Sequence, residues 1–207
     1  MRYHKIPDET VRRLPVYLRA ALHLSDRGVE STSSQGLAQL IGVESWQIRK
    51  DFSYFGDFGV PGVGYNLSNL IKRVNRILRL DTGQKAALIG VGRLGSALLA
   101  FPGFRMYGVE IAAAFETDKR KIGRNKSGVP IEDVATLRNL RERGITLGIV
   151  AVPESAAQQI VDLLQRAGVK GILNFTPRHV VAPRGMKVIT IDIAMDLARL
   201  PYYVTAG

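Results

Sequence analysis

Three glycines in the order Gly90-x-Gly92-x-x-Gly95 are the residues here whose type and spacing suit a definite chemistry, the holding of a dinucleotide. An apolar run, Ala86 to Ile89, enters the turn, and an apolar helical pattern, Ser96 to Leu99, leaves it. Gly90 permits the tight turn, Gly92 lets the backbone approach a pyrophosphate, and Gly95 lets helix pack against strand. The free N–H groups around Val91, Arg93 and Leu94, with the positive end of the helix dipole, then face the phosphates. Val109 to Phe115 reads as the second strand, and Glu116 stands at its end, twenty-one residues beyond Gly95. An acid at that place accepts hydrogen bonds from the adenosine ribose and repels a 2′-phosphate, which favours NAD(H) over NADP(H). Thr117 and Asp118 lie beside it, Asp118 as a second ribose candidate or a turn cap, while Lys119, Arg120 and Lys121 soften the preference.

Residues 31–65 carry a different chemistry. Ser33 and Ser34 are N-cap candidates for a short helix, Gln35 to Ile41, which Gly42 ends. Glu44 or Ser45 caps a second helix running to about Tyr54. Ala38, Gly42 and Ile48 have helix-turn-helix spacing: a small residue at the crossing, a glycine in the turn, an apolar plug between the helices. Trp46, Gln47, Arg49, Lys50, Ser53 and Tyr54 lie mostly off the apolar face of Ile48 and Phe52. Gln, Arg and Lys are the side chains that pair with base edges or phosphates in a major groove. A plain helical hairpin shares this spacing. Phe55 to Tyr65, with aromatics around four glycines and Pro61, reads as a β-hairpin wing. Its mobile tip, at Gly62, is uncharged, so it meets phosphate through backbone N–H groups rather than Arg or Lys.

The elements that position these residues follow from periodicity. Pro7, Asp8 and Glu9 open a first helix with an apolar stripe through Val11, Leu14, Leu18 and Leu22, and Pro15 either kinks it or marks its true start. Leu67, Leu70, Ile71, Val74, Ile77 and Leu78 form one face of a later helix, with Lys72, Arg73, Arg76 and Arg79 as a solvated basic face. After the glycine turn come a short strand (128–131), a helix from Val134 to Arg143 and a buried strand from Leu147 to Pro153. A helix from Glu154 to Ala167 and strands at 171–175 and 188–191 complete the series. Alternation of this kind predicts an α/β fold: residues 1–80 a winged helix-turn-helix domain, 81–84 a linker, and 85–192 a doubly wound (Rossmann) dinucleotide-binding domain. Residues 193–207 form a C-terminal helix and tail. Ligands bind beyond the strand ends, which adds Val152, Pro153, Asn174 and Phe175 to the glycine turn and Glu116 as cofactor-binding candidates.

Composition narrows the function classes. Among 207 residues, 29 Lys and Arg face 18 Asp and Glu, a net charge of +11 that suits a polyanionic partner. The absence of Cys excludes disulfides and thiol redox chemistry, and three scattered His make no metal site. The N-terminus lacks a signal-peptide core, and no apolar run has membrane-spanning length, so the expectation is a cytoplasmic chain without membrane or metal partners. A dehydrogenase also needs a proton donor or acceptor near the nicotinamide and a substrate pocket. His179 is the sole His of the second half, in a polar loop, and no substrate domain is expected beyond the sheet. The cofactor is therefore expected to act as a signal, and the chain is not expected to be an enzyme.

A winged helix joined to a dinucleotide fold resembles the Rex family of bacterial redox-sensing transcriptional repressors. The motifs that carry the likeness are Ile6-Pro7, Arg13-Leu14-Pro15-Val16-Tyr17-Leu18-Arg19, Thr32-Ser33-Ser34, and the run from Gln47 to Gly56. Gly62-Val63-Gly64-Tyr65, Gly90 to Gly95, and Gly168 to Pro177 extend it over nearly the whole chain. The resemblance implies a homodimer that binds a palindromic operator when NADH is scarce and dissociates when NADH rises, with genes of fermentation and respiration as targets. It also implies a C-terminal helix, about Ile193 to Leu200, exchanged between subunits. A coupling network of arginine, tyrosine and aspartate falls on Arg19, Phe101 and Asp192. Phe101 departs from the family's tyrosine and has no hydroxyl to bond the aspartate, so it acts by packing or the coupling is weaker. Against this stand a small NAD-dependent oxidoreductase and a DNA-binding regulator of another nucleotide. Coenzyme A is one such nucleotide, because CoA-binding domains share the glycine turn and the helix start at Pro153-Glu154-Ser155-Ala156-Ala157.

Overall fold

The structure is a computed structural model and describes residues 6–60, 62–138 and 140–204. The chain divides into two compact units, residues 1–81 and 82–207. In the first, α1 (Asp8–Asp26) is followed by β1 (Ser31–Thr32), α2 (Ser34–Ile41), α3 (Ser45–Ser53), β2 (Tyr65–Asn66) and α4 (Leu67–Ile77). Pro15 sits inside an unbroken α1. The carbonyl it leaves without an N–H partner belongs to Val11, and both residues are exposed, so water can take that bond. The Ser33 hydroxyl accepts the Gly36 N–H at 3.0 Å, and Gly42 closes α2 in the left-handed region at φ 65°. Glu44 is the N-cap position of α3 but makes no side-chain capping bond. Leu14, Tyr17 and Leu18 of α1 form the core with Leu37, Ile48, Phe52, Leu70 and Val74.

The expected hairpin over 55–65 is reduced to a single bridge between Val60 and Gly64. The returning strand, β2, pairs with β1 instead, Ser31 opposite Asn66 and Thr32 opposite Tyr65. Gly64 explains the choice. At φ 98° it passes so close to β1 that an added Cβ would lie 2.5 Å from the Thr32 carbonyl oxygen.

The second unit comprises β3 (Gln84–Ile89), α5 (Arg93–Ala100), α6 (Gly103–Met106), β4 (Val109–Glu116), β5 (Asn125–Lys126) and β6 (Val129–Asp133). It continues with β7 (Ile145–Val150), α7 (Ala157–Arg166), β8 (Gly171–Asn174), β9 (Lys187–Thr190), α8 (Ile193–Ala198) and α9 (Leu200–Val204). Strand order in the sheet is β5-β6-β4-β3-β7-β8-β9, parallel from β6 to β9, with β5 antiparallel at one edge. The order reverses direction between β3 and β7, which puts a ligand crevice beyond their carboxyl ends. Alternation along β3 sends Ala87 and Ile89 to one face with Phe115, Val161 and Leu164, and Ala86 and Leu88 to the other with Leu99, Ile131 and Ile149.

Two helices differ from expectation. Among the described residues of 134–143 there is one 3-10 turn, Val134–Thr136, and no longer helix. The Asp133 carboxylate accepts the Ala135 N–H and the Thr136 hydroxyl donates to the Asp133 carbonyl, tying the turn to its own start. Leu137 then leaves helical geometry at ψ 82°, and Leu137 and Leu140 are buried from turns instead. The C-terminal stretch is two short helices, α8 and α9, separated at Arg199 and followed closely by Pro201. The segment before α7 begins as a 3-10 turn, Glu154–Ala156.

Candidate nucleic-acid interface and nucleotide turn

On α3, Ile48, Asp51 and Phe52 face inward, while Trp46, Arg49, Lys50 and Ser53 are exposed. The Arg49 guanidinium donates to the Ser34 hydroxyl at 2.8 Å and to the Ser45 hydroxyl at 3.3 Å, so its head is held over the start of α2. Ser33, Ser34, Arg49, Ser53 and Gly62 line one cleft of about 510 Å³ between α3 and the wing loop. Trp46, Gln47, Lys50 and Tyr54 lie outside that lining. Lys50 accepts the Ser53 hydroxyl at its carbonyl, and Tyr54, half-buried, is the C-cap of α3. Gly62, at φ 78°, sits at an exposed tip beside Val60 and Val63.

Gln47 departs from the expected base reader: its amide donates to Asp51 at 2.8 Å and is turned toward the protein. Asp51 is the residue that sequence reasoning missed. Its fully buried carboxylate also accepts Thr10 (2.9 Å), Tyr17 (2.5 Å) and both Nε (2.6 Å) and Nη2 (2.9 Å) of Arg13. Burial alone would raise its pKa, but the hydrogen bonds from Arg13, Tyr17, Thr10 and Gln47 outweigh it and hold the carboxyl at about 2. The same contacts push the Tyr17 phenol up, burial first and the Asp51 bond second. The available clue was position: Asp51 lies three residues after Ile48 and one before Phe52, on the apolar face. Arg73 departs too. It is half-buried against the wing loop rather than part of a solvated basic face.

At the nucleotide turn, Gly90 has φ 93°, and a Cβ there would lie 2.5 Å from the Ala151 carbonyl oxygen, across the gap between β3 and β7. A Cβ on Gly95 would collide with the Gly90 carbonyl. Gly92 has nothing within 4 Å of where a Cβ would be, so the backbone is open to an approaching phosphate. It precedes α5, whose first-turn residues Arg93 and Leu94 are exposed. Glu116 reaches back to this turn: its Oε2 accepts the Val91 N–H at 3.0 Å, and its Oε1 accepts the N–H groups of Thr117 (2.7 Å) and Asp118 (3.2 Å). Burial opposes ionisation, yet those three backbone bonds prevail and lower the Glu116 pKa. Lys121 Nζ donates to the Val91 carbonyl at 3.1 Å and lies 3.4 Å from Glu116 Oε2, bracing the turn from outside. Arg120 is committed to Asp118, whose carboxylate accepts its Nε and Nη2 at 2.9 Å. These residues fit a dinucleotide: an open glycine cradle, a helix start, and an ionised acid at the end of the next strand.

The remaining candidates are distributed less simply. Asn174 is buried, and its side chain organises its own loop: Oδ1 accepts the Thr176 N–H and hydroxyl, and Nδ2 donates to the Thr176 and Arg178 carbonyls and the Thr190 hydroxyl. Val152 packs on the cluster of one sheet face and Phe175 on that of the other, with Pro153 exposed between β7 and α7. Phe101 caps α5 and packs edge-on against Phe104 at 5.4 Å. Asp192 is the N-cap of α8, its Oδ1 accepting the Met195 N–H at 2.9 Å. Arg19 is exposed on α1. Among the described residues no cluster of three or more His, Asp or Glu could hold a metal ion, and no helix is long and apolar enough to cross a membrane.

A helix-turn-helix unit and a doubly wound sheet with a glycine cradle define a class, the nucleotide-linked DNA-binding regulators. Residues 5–53 match the family model described as "Putative DNA-binding protein N-terminus", and residues 81–178 match that described as "CoA binding domain". The chain is 43% identical to the redox-sensing transcriptional repressor Rex of Lactobacillus gasseri over 97% of its length and 94% of that protein's. The Rex of Syntrophomonas wolfei is 40% identical, covering 99% of this chain and 98% of its own. The structure matches the crystal structure of RSP in complex with beta-NAD+ and operator DNA at TM-score 0.90, with 32% identity over 98% of this chain and 94% of that one. RSP in complex with beta-NADH matches at 0.87, with 31% identity over 97% and 95%. The chain belongs to the Rex family of redox-sensing transcriptional repressors.

Proposed function

We propose that this chain binds a palindromic operator through residues 1–80 when NADH is scarce, and releases it when NADH occupies the turn at Gly90–Gly95. The observation that carries the reading is that one chain, alike to repressors over its full length, joins an exposed Arg49–Lys50 helix to a glycine cradle closed by Glu116. Ser33, Ser34, Trp46, Arg49, Lys50, Ser53, Tyr54 and the tip at Gly62 contact DNA. Gln47 works from behind, through Asp51. Phosphates lie on the α5 start and the ribose on Glu116. Asn174 serves the site by holding its loop rather than by touching the ligand. Arg19, Phe101 and Asp192 carry the coupling, Phe101 by packing, since it has no hydroxyl.

The functional molecule is a cytoplasmic homodimer without catalytic turnover. Apolar side chains on α8 and α9, among them Ile193, Leu197, Tyr202 and Tyr203, are more than half exposed, as an exchanged segment requires. NADH acts only through differential affinity, binding the released arrangement more tightly than the DNA-bound one. A gel shift on a duplex selected by the protein, with NADH and with NAD+, tests this. Release by NADH at concentrations where NAD+ leaves the complex intact is expected; equal indifference to both would sink the sensor reading. The match to a CoA-binding model favours one second reading, that the sensed nucleotide is coenzyme A. Glu116 argues for NAD(H), and titration with NADH, NAD+, NADPH and CoA separates the two.

A further inference from the structure

We propose that Arg73 is a positioning residue for DNA binding, which clamps the wing loop to the body of its unit instead of contacting phosphate. From α4, its Nη1 donates to the Asp57 carbonyl and its Nη2 to the Phe55 carbonyl, while the guanidinium carbon stands 4.1 Å from the centre of the Phe58 ring. Phe58 stacks on Phe52 of α3 at 4.5 Å with the planes 10° apart. Phe52 in turn meets Tyr17 of α1 and Tyr65 of β2 edge-on, each at 5.3 Å. Arg73 therefore closes a chain that runs from α1 through the recognition helix to the loop leading into the wing.

The loop needs such a clamp. Residues 55–59 belong to no strand, so their carbonyls find no ladder partner. A guanidinium answers two carbonyls and one ring face at once, because it is planar and presents several donors in a fixed fork. An ammonium is a point charge and cannot. With its head covered on one side by Phe58 and its donors directed at the loop, Arg73 is oriented inward, unlike its helix neighbours Lys72 and Arg76, which are exposed.

The inference rests on DNA binding by this unit, and its test separates the two. Full-length wild type, Arg73→Lys, Arg73→Met and Lys50→Ala are titrated with a duplex selected by the wild-type protein over a range of salt concentrations, with hydroxyl-radical footprinting. Thermal melting and NADH binding confirm that each variant is folded. Both Arg73 variants are expected to bind about tenfold more weakly, with an unchanged salt slope and lost protection confined to the segment the wing covers. A phosphate contact behaves differently: its removal lowers the slope by about 0.9, the expectation for Lys50→Ala. Wild-type affinity in Arg73→Lys, or a slope reduced by about 0.9 in Arg73→Met, would overturn the clamp. A wild-type chain that selects no duplex overturns the clamp's role together with the DNA-binding reading.

Discussion

Asp51 carries no exposed surface and accepts five hydrogen bonds from four residues, so its charge is a fixed part of the first unit's architecture. Its pKa lies below the usual 3.8, at about 2, which means the unfolded chain binds this proton more readily. The associated stability is therefore complete above about pH 4 and is lost as pH falls toward 2, by about 2 kcal/mol. Urea unfolding of residues 1–81 monitored against pH should show this acid limb in the wild type and its flattening in Asp51→Asn. Asp51→Ala, which strands Arg13 and Tyr17, should cost about 3 kcal/mol at neutral pH. Lys121 poses a question of specificity. Its Nζ stands 3.4 Å from Glu116 Oε2, so with a ribose seated on Glu116, as proposed, it is expected to weaken the repulsion of a 2′-phosphate and to compete with the ribose hydroxyls. Lys121→Met should lower NADPH affinity about tenfold while NADH binds as well or better, measured by calorimetry. Equal losses for both nucleotides would mean that Lys121 only braces the turn.

Among elements, the glycine turn and its flanking strand and helix were legible because each glycine answers a separate geometric demand. Gly95→Ala should abolish NADH binding in fluorescence titration, since its methyl would meet the Gly90 carbonyl, yet leave an operator complex that NADH no longer dissolves. An NADH-responsive Gly95→Ala complex would place the signal elsewhere. The helix-turn-helix was legible for the same reason: Ser33, Gly42 and Ile48 have distinct local tasks. Residues 134–143 were not. Their apolar pattern, Val134, Leu137 and Leu140, fits a helix and a series of buried turns alike, and Asp133 decides by bonding locally. The wing misled because pairing across glycines depends on which neighbouring backbone comes closest, here β1. Asp51 and Arg73 were hidden because Thr10, Arg13 and Tyr17 lie 34 to 41 residues from Asp51, and the carbonyls that Arg73 binds lie 16 to 18 residues from it, at separations no local period reports.

For the whole molecule, the apolar surface left on α8 and α9 sets an expectation about assembly. Leu197→Asp with Tyr203→Asp should convert a dimer to monomers in sedimentation velocity and weaken operator binding sharply, because one head then grips one half-site. A double variant that stays dimeric would locate the interface outside these helices. The lock around Asp51 and Phe52 bears on how such a dimer lets go. A recognition helix pinned through both a carboxylate and a ring is expected to keep its tilt inside its own head, each head acting as a rigid cog. The expectation is then that NADH alters the phase between two cogs along the groove and leaves each tooth intact. A duplex carrying one half-site should bind with the same anisotropy-measured affinity whether or not NADH is present, while the full palindrome is released. Equal loss on both duplexes would show that the head itself deforms. In that mechanism the reduced cofactor is read as a mistimed spacing, and the operator's spacer length is the ruler against which it is judged.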